Sequence, residues 1–354
     1  MPLSPSFTIE AWPTPIVGLY QDAERILLER IAKAIAADAD APDWAERKLL
    51  QMQLLQAQVV RQVADLTGRT SEEVAAAIVK AYNRGAAVAQ ADVQALVERA
   101  VTPALPPGLP AVEALVAEAL ANVQLADQRI LRATDDVFRQ VLARTAPQVL
   151  LGTQTRLQAA QSALNGFADR GITGFIDRAG RSWAMESYVE MSMRAATMNA
   201  ATQGHVERLL ANGHDLVMVS DAPQECDLCR PWEGQVLSLT GLPQTGVRVK
   251  GTLDQARREG LFHPSCRHSV SLFIPGVSKR PVHSADQEGQ YAREYLRSRE
   301  RAVRKWKRRE VVALDDAARE QARAKIRYYQ AQIRDHVAST SAKRQPHRER
   351  LGAL

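Results

Sequence analysis

Residues 220–241 read SDAPQECDLCRPWEGQVLSLTG, and residues 251–276 read GTLDQARREGLFHPSCRHSVSLFIPG. The two stretches contain every cysteine of the protein and the two histidines that flank the third cysteine, namely Cys226, Cys229, His263, Cys266 and His268. A Cys-x-x-Cys pair lets two thiolates turn toward one ion, and a second segment with cysteine and histidine completes a tetrahedral shell. The spacing therefore predicts a metal site, and zinc is the ion that this ligand set favours.

The predicted zinc site has four protein ligands. They are Cys226, Cys229, His263 and Cys266, with His268 as the alternative fourth ligand. Because protein atoms would fill all four positions, the predicted site is structural and has no catalytic residues. The competing interpretation is that the cysteines only pack in the core as small apolar side chains beside a polar loop.

The same part of the chain resembles a known protein family. The motifs that carry the resemblance are GITGFIDRAGRSWAMESYVEMSMRAAT (171–197), VMVSDAP, CRPWEGQVLSLTG and HPSCRHSVSLFIPG, with a weaker similarity in TPIVGLYQDAERILLERIAKAI near the N-terminus. Over residues 171–276 the sequence resembles the minor capsid protein 2 family of tailed phages, whose members act in head morphogenesis. The metal prediction rests on the spacing of the ligands and not on this resemblance.

The resemblance implies a structural protein of the virion. Such a protein would assemble in the cytoplasm of the bacterial host, in multiple copies per particle, against portal or major capsid subunits. It would take part in head assembly, near the portal. Contact with packaged double-stranded DNA is expected from the charge of the C-terminal tail, and no membrane partner is expected.

The composition favours a helical protein. Hydrophobic residues make up 45% of the 354 residues and aromatic residues 5%, which favours helices over a β-sandwich. The sequence has no uncharged apolar run long enough to span a bilayer, and its first residues lack the pattern of a secretory signal. Three clustered cysteines favour a metal or a reducing compartment over a disulfide framework.

The pattern along the chain predicts four segments. They are an extended, proline-rich arm (1–15), an elongated helical region (16–170), a compact α+β domain with the cysteine and histidine cluster (171–278), and a basic helical tail (279–354). The predicted fold class is therefore mainly α with a small α+β domain. Four short strands are expected in that domain, near 214–219, 236–239, 248–249 and 269–273, and a short hairpin near 171–183.

Local signals place several boundaries in the helical region. Apolar residues from Ile16 to Ile35 recur at three- and four-residue steps, as in an amphipathic helix. Thr67-Gly68 predicts the end of the second helix, and the hydroxyls and carboxylates at 70–73 predict the capped start of a third. The segment PALPPGLP (103–110) has four prolines and predicts a loop.

The C-terminal tail is strongly basic. From Ser278 to the C-terminus the sequence has 20 Lys and Arg residues against 10 Asp and Glu. The residues predicted to contact DNA or an acidic partner are Arg293, Arg297, Arg301, Arg304, Lys305, Lys307, Arg308 and Arg309. Spacings of three and four place several of them on one helix face, where they would follow phosphates without reading sequence. The alternative is a solvated helix with internal ion pairs such as Glu294–Arg297 and Glu300–Arg304.

Two further motifs lie near the cysteines in the sequence. Trp232, Glu233 and Gly234 predict a structural turn, in which glycine supplies the backbone geometry and tryptophan the packing. His205-Val-Glu207 upstream of Cys226-x-x-Cys229 is a poor match to zinc deaminases, which place proline directly before the first cysteine, whereas here Pro223 is three residues away.

Enzymatic functions are the alternative to a structural role. A nuclease that uses His263 or His268 as general base lacks a companion carboxylate and asparagine near those histidines. The alternative function is thus a zinc-dependent enzyme or toxin-like effector carried in the particle, of the nuclease or deaminase class. A free DNA-binding regulator would need a recognition helix, and the basic positions suit non-specific contact instead.

Overall fold

The computed structural model describes residues 13–37, 44–96, 109–150, 155–171, 175–176, 182–222, 226–242, 246–263, 266–280 and 286–352. Most of the predicted arm (1–15) and most of the proline-rich loop (103–110) lie outside the described residues. The protein is mainly helical with one small mixed sheet, which confirms the predicted fold class at that level. None of the helices in the described ranges is both long and apolar enough to cross a membrane.

Eight α-helices make up most of the described chain. They are α1 (Thr14–Ala36), α2 (Trp44–Leu96), α3 (Leu109–Leu150), α4 (Arg156–Arg170), α5 (Met185–Ala211), α6 (Leu253–Arg258), α7 (Gln287–Val311) and α8 (Asp316–Ser339). The ends follow the local sequence signals: Thr155 forms a capping box with Gln158 before α4, and the Asp315 side chain accepts from the N–H of Ala318 before α8. Gly213, at a φ of 77°, ends α5.

Helix α2 continues through the position where the sequence predicts a break. The Thr67 hydroxyl donates to the carbonyl of Val63 (2.8 Å) and contacts Asp127 Oδ2 (2.8 Å), and the Ser71 hydroxyl donates to the carbonyl of Thr67 (2.8 Å). These hydroxyls thus bond within the helix or to a distant partner, and neither caps a helix end. Gly68 costs a helix interior only about 1 kcal/mol, so the prediction of two separate helices here is wrong.

The main sheet has four very short strands in the order β5-β4-β3-β6. They are β3 (Leu216–Val219), β4 (Val236–Ser238), β5 (Gly251–Thr252) and β6 (Val270–Leu272). Strand β3 is antiparallel to both β4 and β6, and β4 is parallel to β5. A separate two-stranded hairpin pairs β1 (Phe175–Ile176) with β2 (Ser182–Trp183); the predicted inward packing of its side chains lies outside the described residues.

The chain divides into two compact units built from discontinuous segments. Unit 1 comprises Met1–Pro13, Glu73–Ala121 and Met191–Tyr291, and unit 2 comprises Thr14–Glu72, Asn122–Glu190 and Ala292–Leu354. Unit 1 contains the four-stranded sheet and the cysteine and histidine cluster. Unit 2 contains α1, α4, α8 and the hairpin. The division into four consecutive segments stays a prediction.

In unit 1, a core cluster joins the sheet to the C-terminal part of α2. Its fully or nearly fully buried members include Ala89, Val93, Leu209, Val217, Val219, Cys229, Trp232, Leu237, Leu253, Phe262, Val270 and Leu272. Helices α2 and α5 approach very closely here: a Cβ on Gly85 would lie 1.8 Å from the carbonyl oxygen of Ala201, and one on Gly204 would lie 2.2 Å from that of Tyr82. Only glycine permits this backbone contact.

We expect Gly85→Ala to destabilise the protein by about 1–3 kcal/mol or more, because the added methyl group forces the two helix backbones apart. Gly68→Ala is the matched control in the same helix, since a Cβ there meets nothing within 4 Å. That control should gain about 0.5–1 kcal/mol from helix propensity. Urea unfolding of the purified variants measures both changes, and equal effects of the two substitutions would contradict the close helix crossing.

A buried polar pair lies in the core of unit 1. His205 on α5 is fully buried, and its Nε2 lies 4.0 Å from Asp92 Oδ2 on α2. The N–H of Leu272 in β6 donates to Asp92 Oδ2 (3.3 Å). Burial raises the pKa of Asp92 to about 6, although the hydrogen bond from Leu272 opposes this, and burial lowers the pKa of His205 to about 4. At neutral pH the pair is therefore a carboxylate beside a neutral imidazole.

This pair generates a prediction for the pH dependence of stability. The folded-state pKa of Asp92 lies above its ordinary value of 3.8, so its contribution is most favourable at low pH and is lost as the pH rises from about 4 to 6. Asp92→Asn removes the carboxylate whose ionisation costs this stability. Between pH 4 and 7 the free energy of unfolding of the variant should therefore rise, relative to that of the wild type, by up to about 3 kcal/mol. Denaturant unfolding across this range measures it, with the exposed Asp65→Asn as control; a difference that does not change with pH would contradict the assignment.

Candidate metal centre

The first two cysteines lie in a tight turn (226–229) that follows β3 in the sequence. The carbonyl of Cys226 accepts from the N–H groups of Cys229 (3.1 Å) and Arg230 (3.0 Å), and a 3₁₀ turn (Arg230–Trp232) follows. This closes the Cys-x-x-Cys segment into a loop that presents both thiols to the same side. The local hydrogen bonding thus fulfils the geometric requirement that the spacing predicts.

The second segment reaches the same place from the end of α6. The N–H of Leu261 donates to the carbonyl of Ala256 (2.9 Å), and the chain then reverses through Gly260 (φ 109°) and Phe262 (φ 62°). A positive φ is costly for phenylalanine, and its burial in the core of unit 1 offsets that cost. The N–H of Cys266 donates to the carbonyl of His263 (2.8 Å), which places these two side chains in one turn.

All five predicted donors come together in the structure. The Sγ atom of Cys226 lies 3.0 Å from His263 Nε2, the Sγ atoms of Cys229 and Cys266 are 3.5 Å apart, and Cys266 Sγ lies 3.4 Å from His268 Nδ1. They form two groups of three whose donor atoms all lie within 4.8 Å of one another: Cys226, Cys229 and His263, and Cys229, Cys266 and His268. The thiol of Cys229 belongs to both groups and is the centre of the cluster.

A buried carboxylate lies behind His268. The imidazole Nε2 of His268 is 2.6 Å from Glu233 Oε1, and the two side chains are only 2% and 3% exposed. The same oxygen of Glu233 accepts from the N–H of Ala222 (3.2 Å). From sequence, Glu233 is predicted only as part of a turn. Its contact with His268 is not predictable in this way, because the two residues are 35 positions apart and no spacing motif joins them.

The electrostatics of the cluster favour a cation. The hydrogen bond with Cys229 and the neighbouring His268 lower the pKa of Cys266 although burial opposes this, and Cys266 together with burial raises the pKa of Cys229. Burial opposes protonation of His268, but Cys266 and Glu233 raise its pKa. A positive charge is thus stabilised between a thiolate and a carboxylate. A divalent ion would replace protons at this place, as thiolate ligands require, and the donor set of sulfur and imidazole fits zinc.

The predicted turn at Trp232–Gly234 lies beside this cluster. Trp232 is buried, and the ammonium group of Lys250 lies 4.8 Å from the centroid of its ring. Gly234 adopts a φ of 63° and its N–H donates to the carbonyl of Val219 (3.1 Å). The turn therefore connects the Cys-x-x-Cys loop to strand β3.

The basic residues of α7 lie largely within unit 2. The guanidinium of Arg304 lies 3.3 Å from Glu186, and that of Arg308 lies 3.5 Å from Glu186 and 3.7 Å from Glu24. All four of these side chains are at most 8% exposed. Arg308 also donates to the carbonyl of Ala168 (2.8 Å). Arg304 and Arg308 are therefore not on a surface that phosphates can reach, because they balance buried carboxylates.

Three of the other six predicted contact residues also pair with acidic side chains. Arg309 forms a two-bond pair with Asp169 (2.6 Å each), to which Lys305 also pairs (3.2 Å). Burial alone would raise the pKa of Asp169, but Arg309 and Lys305 hold this pKa below its ordinary value. Arg297 pairs with Glu300 (2.7 Å). Lys307 lines a cavity of about 810 Å³ together with acidic and basic side chains, Arg293 is half-buried, and Arg301 is exposed.

We expect Arg308→Ala to destabilise the protein by about 3–5 kcal/mol, because it leaves two buried carboxylates without this cation. Arg301→Ala, on the same helix but exposed, should change the free energy of unfolding by no more than about 0.5 kcal/mol. Denaturant unfolding of both variants tests the buried network. If Arg308→Ala were as stable as Arg301→Ala, the interior position of Arg308 would be contradicted.

The deaminase-like residues lie apart from the cysteines' ligand groups. Glu207 accepts hydrogen bonds from the Tyr82 hydroxyl and from Gln203 Nε2 (2.8 Å), and His205 is buried beside Asp92. Among the described residues, neither group of possible metal ligands includes His205 or Glu207. The geometry therefore gives no support to a deaminase arrangement.

Fold and site together define a mainly helical protein with a small sheet, beside which thiols and imidazoles cluster. The family model for phage minor capsid protein 2 matches residues 4–338, so the chain belongs to this family. The match confirms the resemblance seen over 171–276 and extends it in both directions. No curated protein and no solved structure matches the chain significantly.

Proposed function

We propose that this phage minor capsid protein takes part in head assembly, near the portal, and that one zinc ion stabilises its unit 1. Membership of the family supports a structural role in the virion. The zinc part is supported by one observation: three thiols and two imidazoles form a cluster with the Cys229 thiol at its centre. Assembly in the host cytoplasm, in multiple copies per particle, follows from the same family role.

The small size of the sheet supports a need for a cross-link. Its four strands are two to four residues long, and sheets of this size have little stability of their own. The cysteines and histidines lie on two loops, outside the strands of the sheet. A zinc ion with ligands from both loops would fix their separation and contribute folding free energy directly.

The ligands are three thiolates and one imidazole. Cys226, Cys229 and Cys266 supply the sulfurs, and His263 or His268 supplies the nitrogen. Such a closed set leaves no position for water or substrate, so the chemistry that the ion supplies is cross-linking.

Exposed apolar residues on long helices support docking onto portal or major capsid subunits. In unit 2, Leu54 and Val60 on α2 are 67% and 54% exposed, and Leu125 on α3 is 44% exposed. Side chains of this kind gain free energy when a partner covers them. Part of the apolar surface of the helices would therefore be buried only on assembly.

Contact with packaged DNA is supported by a small number of exposed cations. Arg301 on α7 is exposed, as are Arg323, Lys325, Arg327 and Arg334 on α8, although Arg323 and Arg327 pair with Glu310 and Glu320. These cations suit weak, salt-dependent contact with phosphates. A neighbouring acidic subunit is the alternative partner for the same surface.

The zinc part is tested with a Cys226→Ser/Cys229→Ser double variant. We expect about one zinc per chain in the wild-type protein by elemental mass spectrometry. The variant should lose the metal together with several degrees of melting temperature, because zinc binding contributes to folding. Asp227→Ser, an exposed substitution between the two cysteines, is the control and should retain both. Wild-type protein without metal would contradict a zinc site.

The assembly part is tested in the phage that encodes the chain. With its gene inactivated, we expect no DNA-filled heads by electron microscopy, and complementation by the wild-type gene should restore them. Cross-linking mass spectrometry of the restored particles should join the chain to portal subunits. Normal heads without the protein would contradict the role. DNA cleavage or base deamination by purified zinc-loaded protein, absent from the double variant, would favour the enzymatic alternative.

A further inference from the structure

The cluster offers one donor more than a tetrahedral ion takes. We propose that His268 is the fourth zinc ligand, that Glu233 is the positioning residue that orients it, and that His263 instead donates a hydrogen bond to the Cys226 sulfur. This inference rests on the zinc site proposed above. It reverses the preference for His263 that the sequence spacing gave.

His268 is held in the orientation of a metal ligand. Glu233 Oε1 lies 2.6 Å from Nε2, so this nitrogen carries the proton that it donates to the carboxylate. The lone pair is then on Nδ1, which faces Cys266 Sγ at 3.4 Å. Histidines that bind metals commonly donate their other N–H to a carboxylate or carbonyl, which fixes the tautomer and increases the basicity of the ligating nitrogen.

Glu233 is itself fixed. Its side chain is 3% exposed, and the N–H of Ala222 also donates to Oε1 (3.2 Å). Burying a carboxylate is costly unless hydrogen bonds or charge compensate for it. A histidine bound to a cation provides both, which gives this carboxylate a physical reason to lie in the interior.

The distances between donors also distinguish the two histidines. Zinc bonds of about 2.0–2.3 Å at tetrahedral angles place neighbouring ligand atoms about 3.5–3.8 Å apart. The Cys229–Cys266 and Cys266–His268 separations are 3.5 and 3.4 Å. The Cys226–His263 separation is 3.0 Å, which is shorter than the usual separation of two ligands of one tetrahedral zinc ion, so these two side chains contact each other directly.

The charges support this division of roles. Three thiolates and a neutral imidazole around Zn²⁺ leave a net charge of about −1 on the centre. An N–H donor at the Cys226 sulfur would spread that charge without occupying a coordination position. His263 is only half-buried, so it lies at the side of the cluster nearer to solvent.

The test uses the full-length, reduced protein, freed of metal and titrated with Co²⁺ and then Zn²⁺ against a competing chelator. We expect Glu233→Gln to lower the zinc affinity by about 10–100-fold while it retains the tetrahedral Co²⁺ absorption band. His268→Gln should lower the affinity further and change the band, because a ligand is lost. His263→Gln should retain the band and change the affinity less than Glu233→Gln does.

The melting temperatures of the metal-free variants separate positioning from a general effect on the fold. If Glu233 only supports the fold, Glu233→Gln would lower the metal-free melting temperature and leave zinc affinity unchanged, and the proposed role would be overturned. Loss of the band in His263→Gln with its retention in His268→Gln would overturn the ligand assignment but keep the zinc site. Wild-type protein that binds neither metal would overturn both.

Discussion

The convergence of two loops on the buried thiol of Cys229 is the contact on which unit 1 depends. One loop follows β3 and the other follows α6. The neighbouring strands β3 and β6 are only four and three residues long. The core around them is continuous, since Cys229, Trp232 and Phe262 pack in the same cluster as the sheet. An ion that binds both loops would therefore act on the core, the sheet and the Trp232–Gly234 turn at once.

Buried charges join three helices of unit 2. Arg304 and Arg308 on α7 meet Glu186 on α5 and Glu24 on α1, so three helices share one interior network. Removal of one member of such a network is far more costly than loss of a surface pair. The sequence of α7 predicts a phosphate-binding surface, but in the structure this basic helix is largely a structural element. For a capsid component, the consequence is that much of its positive charge is already neutralised within the chain.

Periodicity and short-range motifs predicted a large part of the fold. The stripe from Ile16 to Ile35 gave α1, and the Cys-x-x-Cys and His-x-x-Cys-x-His spacings identified the donors that meet. Interactions between distant residues were not accessible in this way. Thr67 stays helical partly through Asp127, 60 positions away, and Arg308 bonds to Ala168, 140 positions away. The contact between Glu233 and His268 is also one between distant residues. Glu233 lies in the turn before β4, and only the folded sheet brings this turn beside His268.

A structural role in the phage head fits a chain whose thiols and imidazoles come together in one cluster and whose long helices carry exposed apolar side chains. The central claim is that zinc, held by three sulfurs and one imidazole, fixes unit 1. X-ray absorption at the zinc edge of the purified full-length protein measures the ligands directly. The account predicts three sulfur neighbours and one nitrogen neighbour. A spectrum dominated by oxygen and nitrogen neighbours, or a protein that carries no zinc, would contradict it.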